Sequence, residues 1–316
     1  MRRTVFGLLL VAASATAATA QRTTYAPLAA QLPLGARAAS LGGTNMASRD
    51  AESALGNPAL AGTGSASAFT LGRYHGGTHG GVIGMTTPVG FMGVGVAVSY
   101  LDYESVGTGA PFYREEVLVS RGAGHGSSMA AAFSLSAPYK GWRWGAAVTY
   151  LEERLFSERA SVAALTLGAS RDNVWRGMTL GIGLQNVGPS MRGSDVTFSR
   201  EATANGEADI DLPLRLAAGM SSFFVPMGAW FDLGVSGGAA VRRDGLVSGN
   251  LGGELSWNPI EGIAVGLRTG VRRPELSVQR PVTAGLGLTV DRFVVDYAWE
   301  QMRDGGGVHR VGLRVR

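Results

Sequence analysis

The chain from residue 282 to residue 316 reads VTAGLGLTVDRFVVDYAWEQMRDGGGVHRVGLRVR. Apolar residues alternate with small or polar ones up to residue 290, and the alternation resumes after Asp291-Arg292 and again after the polar stretch 303–307. A period of two predicts β-strands, because successive side chains leave opposite faces of the backbone. The second face carries Gly, Thr, Arg, Asp and Glu, which favours a closed barrel with lipid outside and a wet interior.

The same alternation continues through most of the chain and predicts fourteen strands, an even number as bacterial barrels have. The predicted strands are 66–74, 81–88, 91–101, 127–137, 142–151, 158–170, 177–187, 213–224, 228–241, 246–257, 262–272, 281–290, 292–302 and 308–316. The links alternate between short and long, with the long ones at 102–126, 188–212 and 273–280. We therefore predict an all-β, transmembrane, antiparallel up-and-down barrel over residues 66–316.

Composition agrees with this class and excludes others. Glycine accounts for 48 of 316 residues, hydrophobic residues for 45% and charged residues for 16%, so a disordered chain is excluded. The sequence has no cysteine, which excludes a disulfide framework and a thiol nucleophile. The net charge is only +4, and both signs are spread along the chain, so we predict no nucleic-acid partner.

Residues 1–20 have the form of a secretory signal peptide. Arg2 and Arg3 precede a short apolar core, and Ala18-Thr19-Ala20 has the small-x-small pattern of a cleavage site. We therefore predict an exported protein.

Residues 21–65, which we call the hatch, differ from the alternating region that follows. Small residues crowd positions 34–43, and residues 50–55 resemble one or two helical turns with acids at the start, where the helix dipole favours them. Asn57-Pro58 is predicted to end this turn, because a residue before proline avoids helical geometry. The segment is either a surface arm or a plug inside the barrel.

Both ends of the chain resemble the PorV/PorQ group of outer-membrane barrels, relatives of the FadL-type transporters. In the hatch, the resemblance rests on Gly35, Arg37, Gly42, Gly43, Asp50, Asn57, Pro58 and Ala59. Near the carboxyl end it rests on residues 283–288, 295–298 and 309–313. The resemblance implies a fourteen-strand barrel in the bacterial outer membrane, with the hatch folded into the lumen.

The resemblance also implies a role in protein secretion and surface attachment of the type IX kind, with secretion components or exported proteins as partners. The alternative is a hatch-gated transporter of small hydrophobic compounds, with small apolar ligands. Outer-membrane lipid is a partner in either case.

Ten charged residues fall on the predicted inner face of the barrel. They are Arg143, Arg215, Asp232, Glu254, Arg268, Arg272, Asp296, Glu300, Arg310 and Arg314. Asp296 and Glu300 lie two inward positions apart, beside the strand that carries Arg310 and Arg314, so cross-strand pairing is predicted. Such charges either pair to fill the lumen and hold the hatch, or form a charged path or a clamp for a ligand carboxylate.

No catalytic, cofactor or metal site is predicted, and the chain is not expected to be an enzyme. His75-x-x-x-His79 lies in a Gly-rich link with no third ligand nearby and lacks the metalloprotease pattern. No phosphate-binding loop or nucleophile elbow occurs. An outer-membrane barrel hydrolase, which arranges Ser, His and acids across strands without a linear motif, remains the alternative of another class.

Overall fold

The computed structural model describes residues 27–32, 35–74, 77–103, 126–155, 158–194, 207–222, 225–274, 279–303 and 306–315. Alternating sequence produces fourteen long strands: β1 (Ala66–Arg73), β2 (Thr78–Val89), β3 (Met92–Tyr103), β4 (Gly126–Tyr139), β5 (Trp142–Leu155), β6 (Glu158–Trp175), β7 (Met178–Val187), β10 (Arg215–Ser221), β12 (Phe231–Arg242), β13 (Val247–Ile260), β14 (Ile263–Arg273), β15 (Gln279–Val290), β16 (Phe293–Met302) and β17 (Gly307–Val315). The described residues also form three short strands: β8 (Met191–Ser194), β9 (Glu207–Ile210) and β11 (Val225–Pro226).

The long strands close into one antiparallel barrel. Each pairs with its neighbours in sequence, β1 pairs with β17, and β10 pairs with both β7 and β12, so no long strand has a free edge. The predicted fourteen-strand barrel is confirmed. The sequence did not predict β8 and β9, which form a separate hairpin within the long link before β10. It also did not predict β11, which pairs with β12 just beyond the end of β10.

The two faces of the wall differ as the alternation requires. Side chains that point outward are mostly large, apolar and exposed, such as Phe69, Leu71, Ile83, Val96, Phe133, Val148, Leu165, Leu216, Leu251, Leu267, Leu286, Val295 and Leu313. Inward positions carry small or polar buried residues, including Ala97, Ser99, Ala132, Ser134, Thr149, Thr166, Ala217, Ser236 and Thr283. An exposed apolar surface of this extent is far larger than soluble proteins tolerate, and it fits a bilayer.

No helix among the described residues is long and apolar enough to cross a membrane.

Tight turns gather at one end of the barrel, which we call the turn end. Lys140-Gly141 and Asp291 adopt positive φ angles of 50°, 77° and 51° there, as two-residue hairpin connections require. The opposite end, which we call the loop end, carries the long links. In bacterial barrels, short turns face the periplasm and long loops face the cell exterior.

The described part of the hatch lies inside the barrel. It contains helix α1 (Ala36–Ser40) and three short 3₁₀ turns, at Leu28–Ala30, Ala51–Ala54 and Pro58–Leu60. The turn predicted at residues 50–55 is present. Asn57 does more than end it, because its side chain caps the next turn by accepting a hydrogen bond from Ala59 N at 3.1 Å.

Glycines on the inner wall allow the hatch to approach the barrel backbone. A Cβ atom at Gly181 would lie 1.8 Å from Met46 O, and one at Gly168 would lie 2.1 Å from Asn57 Oδ1. Neither position accepts a side chain without displacing the hatch. This close approach explains part of the unusual glycine content.

Candidate functional site

Four buried charges on the inner wall form a continuous series of ion pairs. Glu254 on β13 lies opposite Arg268 on β14, with Oε1 2.8 Å from Nη2. Nη1 of Arg268 is 2.5 Å from Oδ1 of Asp296 on β16, and Nε of Arg314 on β17 is 2.5 Å from Asp296 Oδ2. Because these side chains are shielded from water, each charge depends on its neighbours for stabilisation.

Two hatch residues complete this series. Arg37 Nη2 lies 2.9 Å from Glu254 Oε2, and Arg37 Nη1 lies 3.6 Å from Asp50 Oδ1. Asp50 Oδ1 is in turn 3.8 Å from Arg314 Nη1. The result is a closed, electrically neutral ring in which three arginines alternate with three carboxylates. We call it the ion ring: Arg37, Glu254, Arg268, Asp296, Arg314 and Asp50.

The register of β15 makes the ring possible. Arg268 and Asp296 lie on β14 and β16, so the guanidinium must cross the strand between them. Gly285 lies opposite Arg268 and Gly287 lies opposite Asp296. A Cβ at Gly287 would be 2.4 Å from Arg268 Nη2, so the missing side chain leaves the space through which the guanidinium passes.

A second charged cluster lies closer to the loop end. Glu300 pairs with both Arg272 and Arg310, which flank it on β14 and β17. Arg310 Nη2 also donates to the hydroxyl of Tyr74 at 3.0 Å, and the Cζ atom of Arg310 lies 5.1 Å from the centroid of the Tyr74 ring. This cluster carries one net positive charge.

Glu52, which lies on the hatch, adds a fourth carboxylate beside the three of the ion ring. Its side chain is buried, and a Cβ at Gly35 would lie 2.4 Å from its Oε1. Burial, followed by the negative charge of Asp50, raises the pKa of Glu52 to about 7. Arg37 is also desolvated, but the carboxylates of Glu254 and Asp50 raise its pKa above the ordinary arginine value.

On the opposite side of the lumen, neutral hydrogen bonds hold the hatch. Asn57 Nδ2 donates to Met46 O at 2.8 Å and to Ala169 O on β6 at 3.3 Å. Ser136 Oγ on β4 donates to Ala61 O at 2.6 Å. Asn57 is fully buried and thus joins two parts of the hatch to the wall.

Two cavities lie between the hatch and the wall formed by β10 and β12. The one toward the loop end measures about 80 Å³ and the one toward the turn end about 370 Å³. The four residues that line both cavities are Ala47, Ser48, Ser221 and Ser236. Two hydrogen bonds cross this boundary: Thr44 Oγ1 lies 3.0 Å from Ser236 Oγ, and Ser221 Oγ donates to Ala47 O at 2.8 Å.

An apolar cluster fills the lumen toward the loop end. Its larger members are Leu28, Leu32, Tyr74, Leu101, Leu151, Met191, Ile210, Leu212, Met302 and Val308. Leu32 belongs to this cluster and also lines the smaller cavity. The apolar cluster therefore meets the smaller cavity at Leu32.

The other predicted lumen residues lie apart from the ion ring. Arg143 Nη1 donates to Ser136 Oγ at 3.4 Å, and Asp232 accepts from Asn258 Nδ2 at 2.6 Å. Arg215 lies at the start of β10 and lines the smaller cavity.

Within the hatch motif, Gly42 and Gly43 have positive φ angles of 77° and 86°, and Gly42 N donates to Thr283 Oγ1 on β15 at 3.1 Å.

Sequence reasoning missed Glu52, Thr44, Ser221 and Ser236. The two serines could have been found as inward-facing positions on the predicted strands. Their contacts with the hatch could not, because those contacts depend on where the hatch docks.

His79 lies at the start of β2, whereas His75 lies outside the described residues, as do the predicted signal peptide and residue 316. Across the described part of the chain, no group of three or more potential ligands is arranged to hold a metal ion.

No protein-family model matches the sequence, and no curated protein matches it. The fold is similar to three solved structures, each at 10% identity. They are the toluene transporter TodX of Pseudomonas putida (93% of this chain and 98% of that chain covered, TM-score 0.54), the monoaromatic hydrocarbon channel CymD (89% and 96%, 0.59) and the toluene transporter TbuX of Ralstonia pickettii (90% and 98%, 0.56). At this identity the likeness establishes the fold.

Proposed function

We propose that this chain is a bacterial outer-membrane channel that passes small apolar compounds toward the periplasm, with the hatch as its gate. The observation that carries the proposal is the pair of cavities beside β10 and β12, which begins at the apolar cluster and continues toward the turn end. The likeness to structures named as toluene transporters and as a hydrocarbon channel supports the same substrate class.

The distribution of contacts explains why the gate is placed at the β10–β12 side. Toward the adjacent strands β13–β17 the hatch is anchored by the ion ring, which borders the larger cavity and whose charges cannot separate without leaving buried ions unpaired. At the boundary between the cavities, the hatch segment 44–48 is joined to the wall by the Thr44–Ser236 and Ser221–Ala47 hydrogen bonds. A neutral hydrogen bond contributes only about 0.5–1.5 kcal/mol net, so this contact opens at much lower cost.

Permeation tests the proposal directly. Ser221→Ala with Ser236→Ala removes both wall hydroxyls at the boundary, and we expect faster toluene uptake by cells whose outer membrane carries this variant. Cells are used because toluene crosses a plain phospholipid bilayer unaided. Ser134→Ala is the matched control, because Ser134 is also buried and inward-facing but donates to Gly95 O within the wall. Cells that carry the wild-type protein and take up toluene no faster than cells that lack it contradict the proposal.

Secretion and surface attachment of exported proteins stays a prediction from the sequence resemblance, as does the hydrolase alternative. Affinity purification from detergent-solubilised membranes distinguishes the secretion role, because it requires a protein partner that a small-molecule channel does not. Hydrolysis of a chromogenic ester by the purified protein, lost on substitution of a lumen Ser or His, distinguishes the hydrolase.

A further inference from the structure

The outer wall carries one charged cluster that the lumen does not explain. Glu152 and Arg154 lie on β5, and Arg159 lies opposite Arg154 on β6. Glu152 accepts from Arg154 Nε at 2.5 Å and from the hydroxyl of Tyr150 at 2.6 Å, and its Oε2 lies 2.6 Å from Arg159 Nη2. Arg159 Nη2 also donates to the Tyr150 hydroxyl at 2.7 Å.

These side chains face lipid rather than the lumen. They share the outward face of β5 with Val148, which is 59% exposed, whereas Leu151 and Glu153 on the other face are buried. The side chains of Arg154 and Arg159 are 52% and 54% exposed, but that of Glu152 is only 7% exposed. The carboxylate is therefore enclosed by its partners, and the two guanidiniums are presented outward.

The depth of the cluster follows from strand geometry. Trp144 lies toward the turn end of β5 and is exposed at the aromatic girdle, ten residues before Arg154. At about 3.3 Å per residue and a tilt of about 40°, ten residues rise about 25 Å, the height of the apolar band in such barrels. Arg154 and Arg159 thus lie at the level of the outer-leaflet headgroups.

The arrangement keeps two positive charges together. Like charges directly opposite each other on adjacent strands repel, and the Glu152 carboxylate bridges them. The cluster retains one net positive charge. Within the described residues Arg154 makes contact only through Nε, so its two terminal nitrogens remain available as donors.

We propose that Arg154 and Arg159 bind the phosphate group of an outer-leaflet lipid headgroup. Paired guanidiniums match the geometry of phosphate oxygens and bind them through charge-assisted hydrogen bonds. Glu152 and Tyr150 are positioning residues, since they hold the guanidiniums in place. The inference rests on the barrel and its orientation, and it is independent of what passes through the lumen.

Native mass spectrometry of the full chain, purified in detergent and titrated with diphosphoryl lipid A, tests the proposal. Loss of two charge-assisted contacts in R154Q/R159Q is expected to weaken lipid A binding at least about tenfold. The control R192Q/R243Q also removes two exposed arginines near the loop end, but away from the lipid-facing wall, and retains wild-type binding. Heat-modifiable gel mobility establishes that each variant is folded. Wild-type affinity in folded R154Q/R159Q overturns the proposal.

Glu152→Gln separates positioning from simple charge attraction. This variant raises the net charge of the cluster but releases both guanidiniums. Weaker lipid A binding supports a prearranged phosphate site, whereas tighter binding overturns that geometry in favour of diffuse attraction.

Phosphatidylcholine, which has a phosphate but no net charge, binds equally to wild type and R154Q/R159Q if the site selects anionic headgroups. Inorganic phosphate that displaces lipid A at equal concentration overturns the choice of a lipid as occupant.

Discussion

Arg268 reaches across β15 to Asp296, with Nη1 2.5 Å from Oδ1, and it does so over the bare backbone of Gly287. The same guanidinium is held by Glu254 on its other side. One glycine on an intervening strand therefore determines whether the ion ring can close.

Replacing Gly287 with Ala is expected to destabilise the barrel by about 1–3 kcal/mol, the usual cost of overpacking. The new Cβ meets Arg268 Nη2, and the guanidinium cannot withdraw without leaving Asp296 or Glu254. The measurement is the temperature at which the compact form is lost in heat-modifiable gel mobility. Gly253→Ala is the control, because a Cβ there has nothing within 4 Å. Equal transition temperatures for the two variants would contradict this role of Gly287.

Arg37 and Arg268 contribute the same charge to the ion ring from different parts of the chain. Arg37→Gln is expected to weaken hatch docking by about 3 kcal/mol while leaving the barrel wall intact, because Glu254 keeps Arg268. Arg268→Gln is expected to lower barrel stability instead, since it separates Glu254 from Asp296. Single-channel conductance reports the hatch, and heat-modifiable mobility reports the barrel. Identical behaviour of the two variants in both measurements would rule out this division of roles.

Asn57→Ala is expected to raise conductance in planar bilayers. The change removes the hydrogen bonds to Met46 O and Ala169 O and the cap of the following turn, and each buried group left unsatisfied costs about 1–3 kcal/mol. Conductance equal to that of wild type would argue against a hatch that blocks the lumen. Ser134→Ala again serves as the control, since its hydroxyl bonds within the wall.

The alternation of apolar and polar residues predicted the barrel and many of the charged residues on its inner face. Arg314 pairs with Asp296 and Arg310 with Glu300, diagonally across β16 and β17, because side chains two residues apart share one face. The alternation alone could not predict that the Arg268 side chain reaches across β15 to Asp296, since that contact depends on the register of β14, β15 and β16 together. The partners of Asp50 and Glu52 depend on where the hatch docks, which no local pattern encodes.

The charged cluster on the outer wall shows a second limit of the pattern. The predicted strands stopped at residue 151 and restarted at residue 158, on either side of a stretch that contains charged residues. In the structure β5 runs to Leu155, since strands continue beyond the apolar band into the headgroup region. Charged residues at that depth end the hydrophobic pattern without ending the strand.

The hatch is expected to loosen as the pH rises from about 5 to 7. Burial and then Asp50 raise the pKa of docked Glu52 from 4.5 to about 7, so its carboxyl is mainly protonated below pH 7. Arg314 and Asp296 are the other charges that act on it. The docked state therefore binds more protons than a released hatch whose Glu52 has its ordinary pKa. The equilibrium constant for hatch docking is largest below pH 4.5. It falls by up to about tenfold per pH unit between pH 4.5 and 7, and it is constant above pH 7.

Open probability in planar bilayers between pH 4.5 and 8 measures this dependence. Wild-type channels should open more often as the pH rises to 7 and then level off. Glu52→Gln keeps a neutral side chain of the same shape at every pH, so its open probability should match the acidic wild type throughout. A Glu52→Gln channel that retains the wild-type pH response would assign the titration to another group.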